Sequence, residues 1–427
     1  MKKSLIAFLL GSLIWTMVGC GQTSTTVATN PSLVNPNDNY CTLNISGAYV
    51  CSKSWTSYFN TTISLTLYYT GIPEYDILTV FNSVDSVLDH YHSLFDKYNT
   101  YPDIENIYTI NRDSSIPDGD VYGTKNIDED LFSALIFALR VESEITSDAS
   151  SDVQLFNIAL SPVLSLWHNA RASFACSTSD FNYSVCPLPA TELIDATYNI
   201  DPDDIILDVT NSSISFAKTG MGIDLGGFGK GYVSEVICDM LDAQSIVYLL
   251  NSGNSNIKAG GANPNRADGS FYIAMTEPSF ASSLFSSYYA YLRIMAGSSV
   301  VTSGSYQNFF VGQTDNIVYH HIINPSTYRP GGDQITLSVD DGNNLIISPT
   351  DALLSVTIIC ESGDSGDIYS TTLFLMTYLD GLALINATPG YEAIWYFADG
   401  SFQLSSGLEE SEIEVSSGVF KPLITVK

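Results

Sequence analysis

Gly222-Ile223-Asp224-Leu225-Gly226-Gly227-Phe228-Gly229-Lys230-Gly231-Tyr232 is the stretch on which the fold of this chain turns. It runs from an apolar, strand-like segment through a glycine cluster into an amphipathic helix, expected over about 232 to 241. Glycines let a backbone approach a ligand closely, because no Cβ is in the way. The helix would point free N–H groups and its positive dipole end back at the turn, an arrangement suited to phosphate. A plain strand-to-helix turn is the other reading. No Ser or Thr follows Lys230, so this is not a P-loop. The glycine spacing and the lack of a suitably placed acid also exclude a dinucleotide fingerprint.

The start of the chain bears on compartment. Lys2 and Lys3 precede an apolar run from Leu5 to Val18, and Gly19-Cys20 follows. A basic start, a short apolar core and a small residue before the cut describe a secretory signal over residues 1–19. A Cys directly after Gly19 resembles a bacterial lipobox, so Cys20 is expected to carry lipid. Residues 20–40 are rich in Thr, Ser, Asn and Pro and read as a flexible tether. The expected location is the cell membrane, lipid-anchored on its extracytoplasmic face, with the working domain over residues 41–427.

Cysteine usage fits an oxidising compartment. Cys41 and Cys51 are ten apart, as are Cys176 and Cys186, and both pairs sit in polar, loop-like sequence where disulfides are an option. Cys238 and Cys360 lie in apolar segments and read as buried thiols. No Cys or His spacing resembles a zinc site. The chain holds 16 Lys and Arg against 46 Asp and Glu, a net charge of −30. Binding of nucleic acid is excluded on that balance, as is electrostatic docking to anionic lipid. An anionic ligand would need a local positive site or a cation.

Strands are expected at 61–69, 208–217, 244–251, 271–276 and 353–360, with a closing hairpin around Asp399-Gly400. Helices are expected from Val80 to Tyr98, over 131–141 and over 367–378. Strands and helices mix without strict alternation, so the fold class is α+β.

Asp367 and Thr371 are four apart on the last long helix and therefore share a face. A carboxylate and a hydroxyl both offer the hard oxygen that Mg²⁺ prefers. An acid capping a helix start is the competing reading. The pair gains weight from five other segments in order. These are Phe95-Asp96-Lys97-Tyr98-Asn99 through Ile110-Asn111-Arg112; Phe156-Asn157-Ile158-Ala159-Leu160-Ser161-Pro162-Val163 to Leu166-Trp167; the Gly222–Tyr232 stretch; Val301-Thr302-Ser303-Gly304-Ser305-Tyr306; and Tyr319-His320-His321-Ile322-Ile323-Asn324-Pro325-Ser326-Thr327. With Gly366-Asp367 through Thr371-Thr372-Leu373 they resemble the FAD:protein FMN transferases, the ApbE family. The resemblance runs over roughly 61–407.

The resemblance implies a single mixed α/β domain of the flavin-transferase, T-fold-like type. It implies transfer of FMN from FAD to a Thr hydroxyl of an acceptor protein, with release of AMP and dependence on Mg²⁺. It assigns the metal to Asp367, Thr371 and the carbonyl of Gly229. His321 matches the family's motif His, a candidate general base, with a loop-ordering role as the alternative. Asn60, Thr61, Asp224, Gly226, Gly227, Lys230, Thr302, Ser303, Gly304 and His321 would contact the flavin nucleotide. Lys230, Arg329 and the helix start would supply local positive charge. An FAD pyrophosphatase and a non-catalytic flavin-binding lipoprotein are the rival functions.

The chain also departs from the family pattern. Asn60 stands where the family's early Met-Gly-Thr has its Gly. The Asn-x-Gly-Gly-Asp segment appears as Asn251-Ser252-Gly253-Asn254-Ser255-Asn256, with an extra residue and no acid. Asn324 replaces the Asp of the His motif, and Tyr328 replaces the Gly after Thr327.

Overall fold

The computed structural model describes residues 40–43, 47–70, 76–148, 154–281, 287–416 and 418–427. The expected signal peptide, Cys20 and all of the expected tether except Tyr40 lie outside the described residues. The organising element of the unit Asn37–Lys427 is an antiparallel sheet, nine-stranded among the described residues. Its spatial order is Cys41–Leu43, Ala48–Trp55, Ile63–Thr70, Val247–Ser252, Asn256–Gly260, Ser299–Gly304, Leu353–Cys360, Glu392–Phe397 and Phe402–Leu404.

The described helices are α1 (Ile77–Phe95), α2 (Ile107–Asp113), α3 (Glu129–Asp148), α4 (Ser161–Arg171), α5 (Thr191–Ile194), α6 (Gly229–Asp242), α7 (Gly363–Leu375) and α8 (Tyr378–Ala387). Side chains alternate across a strand, so each strand feeds two layers. Along Val247–Ser252, Tyr248 and Leu250 join Phe81, Phe228 and Trp395 in the core beneath the helices. Val247 and Leu249 face the other way, toward Phe271, Leu292 and Ile424 of a second, four-stranded sheet. Helices on one face of an antiparallel sheet make the α+β class expected from the sequence. The central strand Leu353–Cys360 is buried along its whole length because both its faces are covered.

Several elements differ from expectation, each for a local reason. Helix α6 starts at Gly229, so Gly229, Lys230 and Gly231 form its first turn rather than a preceding loop. A Cβ on Gly231 would run into the Gly363 carbonyl and come within 2.7 Å of Asp367 Oδ2. Helix α7 starts at Gly363, so Asp367 lies in its second turn and is not a cap; it ends at Leu375, and α8 is separate. The segment 208–217 is a hairpin, Ile205–Asp208 against Ser213–Phe216. Asp208 turns it by accepting from Thr210 N at 2.8 Å and Asn211 Nδ2 at 2.7 Å, and this Asx geometry overrides strand propensity. Helix α1 stops before Tyr98 because Asp96 accepts from Tyr98 N at 2.6 Å and Asn99 N at 3.1 Å. Both cysteine pairs left open by the sequence are disulfides. Cys41 and Cys51 are cross-strand partners rather than loop residues, and Cys186 ends a strand. Cys238 and Cys360 are buried free thiols.

Glu142 on α3 is almost fully buried, with Oε2 unpartnered and Oε1 held by Gln154. Burial pushes its pKa up to about 8; the Ile158 main chain opposes this, and Asp203 and Asp201 add to it. Between about pH 4 and pH 8 the unfolded chain has lost this proton and the folded chain has not, so stability falls as pH rises. Glu142→Gln should therefore stabilise the protein at pH 8 by on the order of a few kcal/mol and do little at pH 4. Urea midpoints of parent and variant at the two pH values measure this. An equal difference at both would show that Glu142 is charged in the folded state.

Candidate active site

The site is built where α6 and α7 meet over the sheet. Gly231 N, in the first turn of α6, donates to Asp367 Oδ2 at 2.8 Å. The anion at this helix start is therefore the protein's own carboxylate, favoured there by the dipole. The helix is expected from the sequence to offer free N–H groups to phosphate; at Gly231 that N–H is already taken. Asp367 is 6% exposed, and its pKa is pushed up to about 7. Burial dominates, Lys230 and the Gly231 hydrogen bond oppose it, and Asp364 adds to it. Thr371 lies one turn along, with Oγ1 3.4 Å from Ser303 Oγ, which is 2.8 Å from Ser370 Oγ. Asp367, Thr371 and Ser303 line one cavity, so a buried acid and hydroxyl oxygens are offered to it together, a donor set that fits a hard divalent cation.

Asn60, Thr61, Asp224, Gly226, Gly227, Gly229, Lys230, Thr302, Ser303, Gly304, His321, Asp367 and Thr371 all line one cavity of about 530 Å³. That size falls within the range of cofactor pockets. Asn60 adopts φ +51, so it holds the left-handed backbone that a Gly would adopt freely. Tyr328 does the same at φ +58, with its carbonyl accepting from Trp167 Nε1 at 2.7 Å. Both residues that replace a Gly of the family pattern thus take a backbone conformation open to Gly. Asn256 is fully buried and donates to the Gly363 carbonyl at 3.0 Å, next to Asp367.

Asp224 lines the cavity with its carboxylate already partnered inside the protein. It is buried, ion-paired with Lys97, and accepts from Gly226 N at 2.7 Å. The strand-like segment expected before the turn is not a strand; Asn111 clamps it instead through Ile223 N at 2.6 Å and Ile223 O at 2.8 Å. The Asp224 carboxylate therefore shapes the glycine turn and positions Lys97 at the cavity wall.

The two adjacent histidines divide their work. His320 is buried, its Nε2 3.1 Å from the Gly331 carbonyl and its Nδ1 accepting from Ile322 N at 3.2 Å. It orders the loop, and burial pushes its pKa down to about 4. His321 is exposed and lines the cavity. Desolvation of its ring among the cavity residues, followed by the charges of His320, Lys230 and Arg171, lowers its pKa to about 3. Its imidazole is neutral at pH 7 and meets the main chain of Gln307, while His320 holds Gly331 and Ile322.

Arg329 does not contribute to the cavity. It pairs with Asp195 at 3.0 Å on the exposed surface. The cations that line the pocket are Lys97, Lys230 and Arg171, a positive focus inside a chain of net charge −30. Lys97 and Arg171 were not assigned from the sequence. Lys97 pairs with a residue 127 positions away, and Arg171 ends α4, whose Leu164, Trp167, His168 and Arg171 share one helical face on the cavity. That spacing was the available signal.

A model of the ApbE family matches residues 59–395, which include the whole cavity lining. The chain belongs to the ApbE family. Among curated relatives, it is 28% identical over 253 residues to a FAD:protein FMN transferase of Klebsiella pneumoniae (strain 342), covering 59% of this chain and 66% of that protein. It is 26% identical over 204 residues to a FAD:protein FMN transferase of Treponema pallidum (strain Nichols), covering 46% and 49%. The chain thus spans about half to just under two thirds of the length of these relatives. The ApbE protein of Thermotoga maritima shares the fold, with a TM-score of 0.62 at 20% identity over 84% of this chain and 97% of that one. So does the apo form of the Pseudomonas stutzeri flavinyl transferase ApbE, at 0.60 and 19%, covering 84% and 95%. These ApbE structures share the mixed α/β architecture described here.

Proposed function

We propose that this ApbE-family chain transfers the FMN half of FAD to a Thr hydroxyl of an acceptor protein. The reading is supported above all by one cation-lined cavity that takes in every position assigned above to the flavin nucleotide or the metal. An acceptor Oγ forms a bond to the FMN phosphorus, the bond from that phosphorus to the bridging oxygen breaks, and AMP leaves with the oxygen. The acceptor proton passes to the neutral His321. A pKa near 3 makes a weak base, and the negative pyrophosphate of a bound nucleotide would raise it toward a useful value. Lys230, Lys97 and Arg171 balance the phosphates.

Asp367 and Thr371, with the Gly229 carbonyl, would hold Mg²⁺. When bound, the metal would neutralise pyrophosphate charge and make AMP a better leaving group. The test is a mass spectrum of a candidate acceptor after incubation with the protein, FAD and Mg²⁺. A gain of one FMN on Thr is expected. FMN and AMP released with no labelled acceptor would favour the pyrophosphatase.

The same reading places the enzyme on the outer side of the cytoplasmic membrane, held by lipid on Cys20. Among the described residues no helix is long and apolar enough to cross a membrane. Cys20→Ser should therefore move the protein from the membrane fraction to the soluble fraction. Retention of the variant in the membrane would overturn the anchor.

A further inference from the structure

Helix α7 is held at its first residue by a group outside the cavity. Glu235 Oε1 on α6 accepts from Gly363 N at 2.6 Å, and Asn256 Nδ2 donates to Gly363 O at 3.0 Å. Gly231 and Glu235 are four apart on α6, so one helical face grips α7 twice. The first grip is on Gly363 and the second on Asp367. The Glu235 charge is met by Lys258, which is 7% exposed and also donates to the Glu361 carbonyl at 2.8 Å. Ser299 Oγ contacts Glu235 Oε1 at 3.3 Å. The network thus ties two sheet strands to the start of the helix that carries Asp367 and Thr371. Gly363 fits only because it has no side chain: a Cβ there would meet Asn256 Nδ2 at 2.7 Å and Glu235 Oε1 at 3.1 Å.

We infer that Glu235 is a positioning residue, whose hydrogen bond to Gly363 sets the register of α7 against α6 and so the placement of the cation ligands Asp367 and Thr371. The inference rests on the cation reading of that pair. Lys258 serves it by keeping the Glu235 carboxylate in place. Losing the grip lets α7 slide along α6, and the oxygens of Asp367 and Thr371 no longer converge.

Removing one member of a buried ion pair leaves an uncompensated charge, which confuses any single substitution. Two double variants avoid this: E235Q/K258M and E235L/K258M. Both are neutral at the pair, and they differ in the acceptor offered to Gly363 N. The readout is Mn²⁺ binding to the purified protein, followed by the electron paramagnetic resonance of free Mn²⁺. The Gln variant should bind within about threefold of the parent, and the Leu variant at least about tenfold more weakly. A tenfold change corresponds to about 1.4 kcal/mol, the scale of one hydrogen bond. Should the Leu variant fail to fold, E235N/K258M, whose side chain is one methylene short of Gly363, gives the same contrast. Equal affinities in the two double variants would overturn the inference alone. A parent protein whose Mn²⁺ uptake is absent, or unchanged by Asp367→Asn, would overturn the cation reading and the inference with it.

Discussion

Asp367→Ala leaves a folded protein that no longer turns over FAD, a loss of about 10³-fold or more in rate. A bound metal contributes several kcal/mol of charge stabilisation, and each 1.36 kcal/mol is a tenfold change in rate. The fold should survive because the substitution removes a buried carboxylate whose ionised form is already disfavoured. What it strands is the Gly231 N–H, at a cost of about 1–3 kcal/mol. The variant should therefore melt cooperatively and keep the far-ultraviolet circular dichroism of the parent. Activity is followed as AMP released from FAD in Mg²⁺. Full activity of the variant, or of the parent in excess chelator, would remove the metal from the mechanism.

His321→Asn should retain FAD binding and lose transfer by on the order of 10²–10⁴-fold, the usual contribution of a positioned base. Asn is polar and of similar reach, so the loop should hold. The order of that loop rests on His320, whose ring bridges Gly331 and Ile322. The same exchange at His320 should do the opposite, weakening the loop and FAD affinity before it touches the transfer step. Flavin binding and single-turnover labelling of an acceptor, measured on both variants, separate the two roles. Near-normal labelling by His321→Asn at saturating FAD would exclude it as the base.

The sequence by itself determined the elements whose signals are local. The strands 271–276 and 353–360 have the bounds their apolar runs suggested. The ten-residue cysteine spacings closed as disulfides, and the two remaining cysteines of the described chain are buried. The positions singled out around the cavity were legible because each lies in a short motif, and those motifs keep their order along the chain. Helix starts were less legible. Glycine lowers helix propensity, so Gly229, Gly231, Gly363 and Gly366 read as loop. They are helical because α6 and α7 pack so closely that a side chain would not fit at Gly231 or Gly363. That cause is tertiary and leaves no periodic trace.

Tertiary structure alone decided the partners. The resemblance puts Asp224 at the flavin pocket, and the fold adds a partner the sequence does not show, Lys97, 127 positions away. Arg329 looked like a pocket cation because it follows the histidine motif, yet it faces Asp195 at the surface. The cations that do face the cavity, Lys97 and Arg171 beside Lys230, come from segments far apart in the chain. The free helix terminus expected for phosphate is taken at Gly231 by Asp367. A charge reads the same in sequence whether it faces a ligand, a partner or water. Only the folded chain fixes which of these it meets, because burial makes an unpaired charge costly and so selects its neighbour.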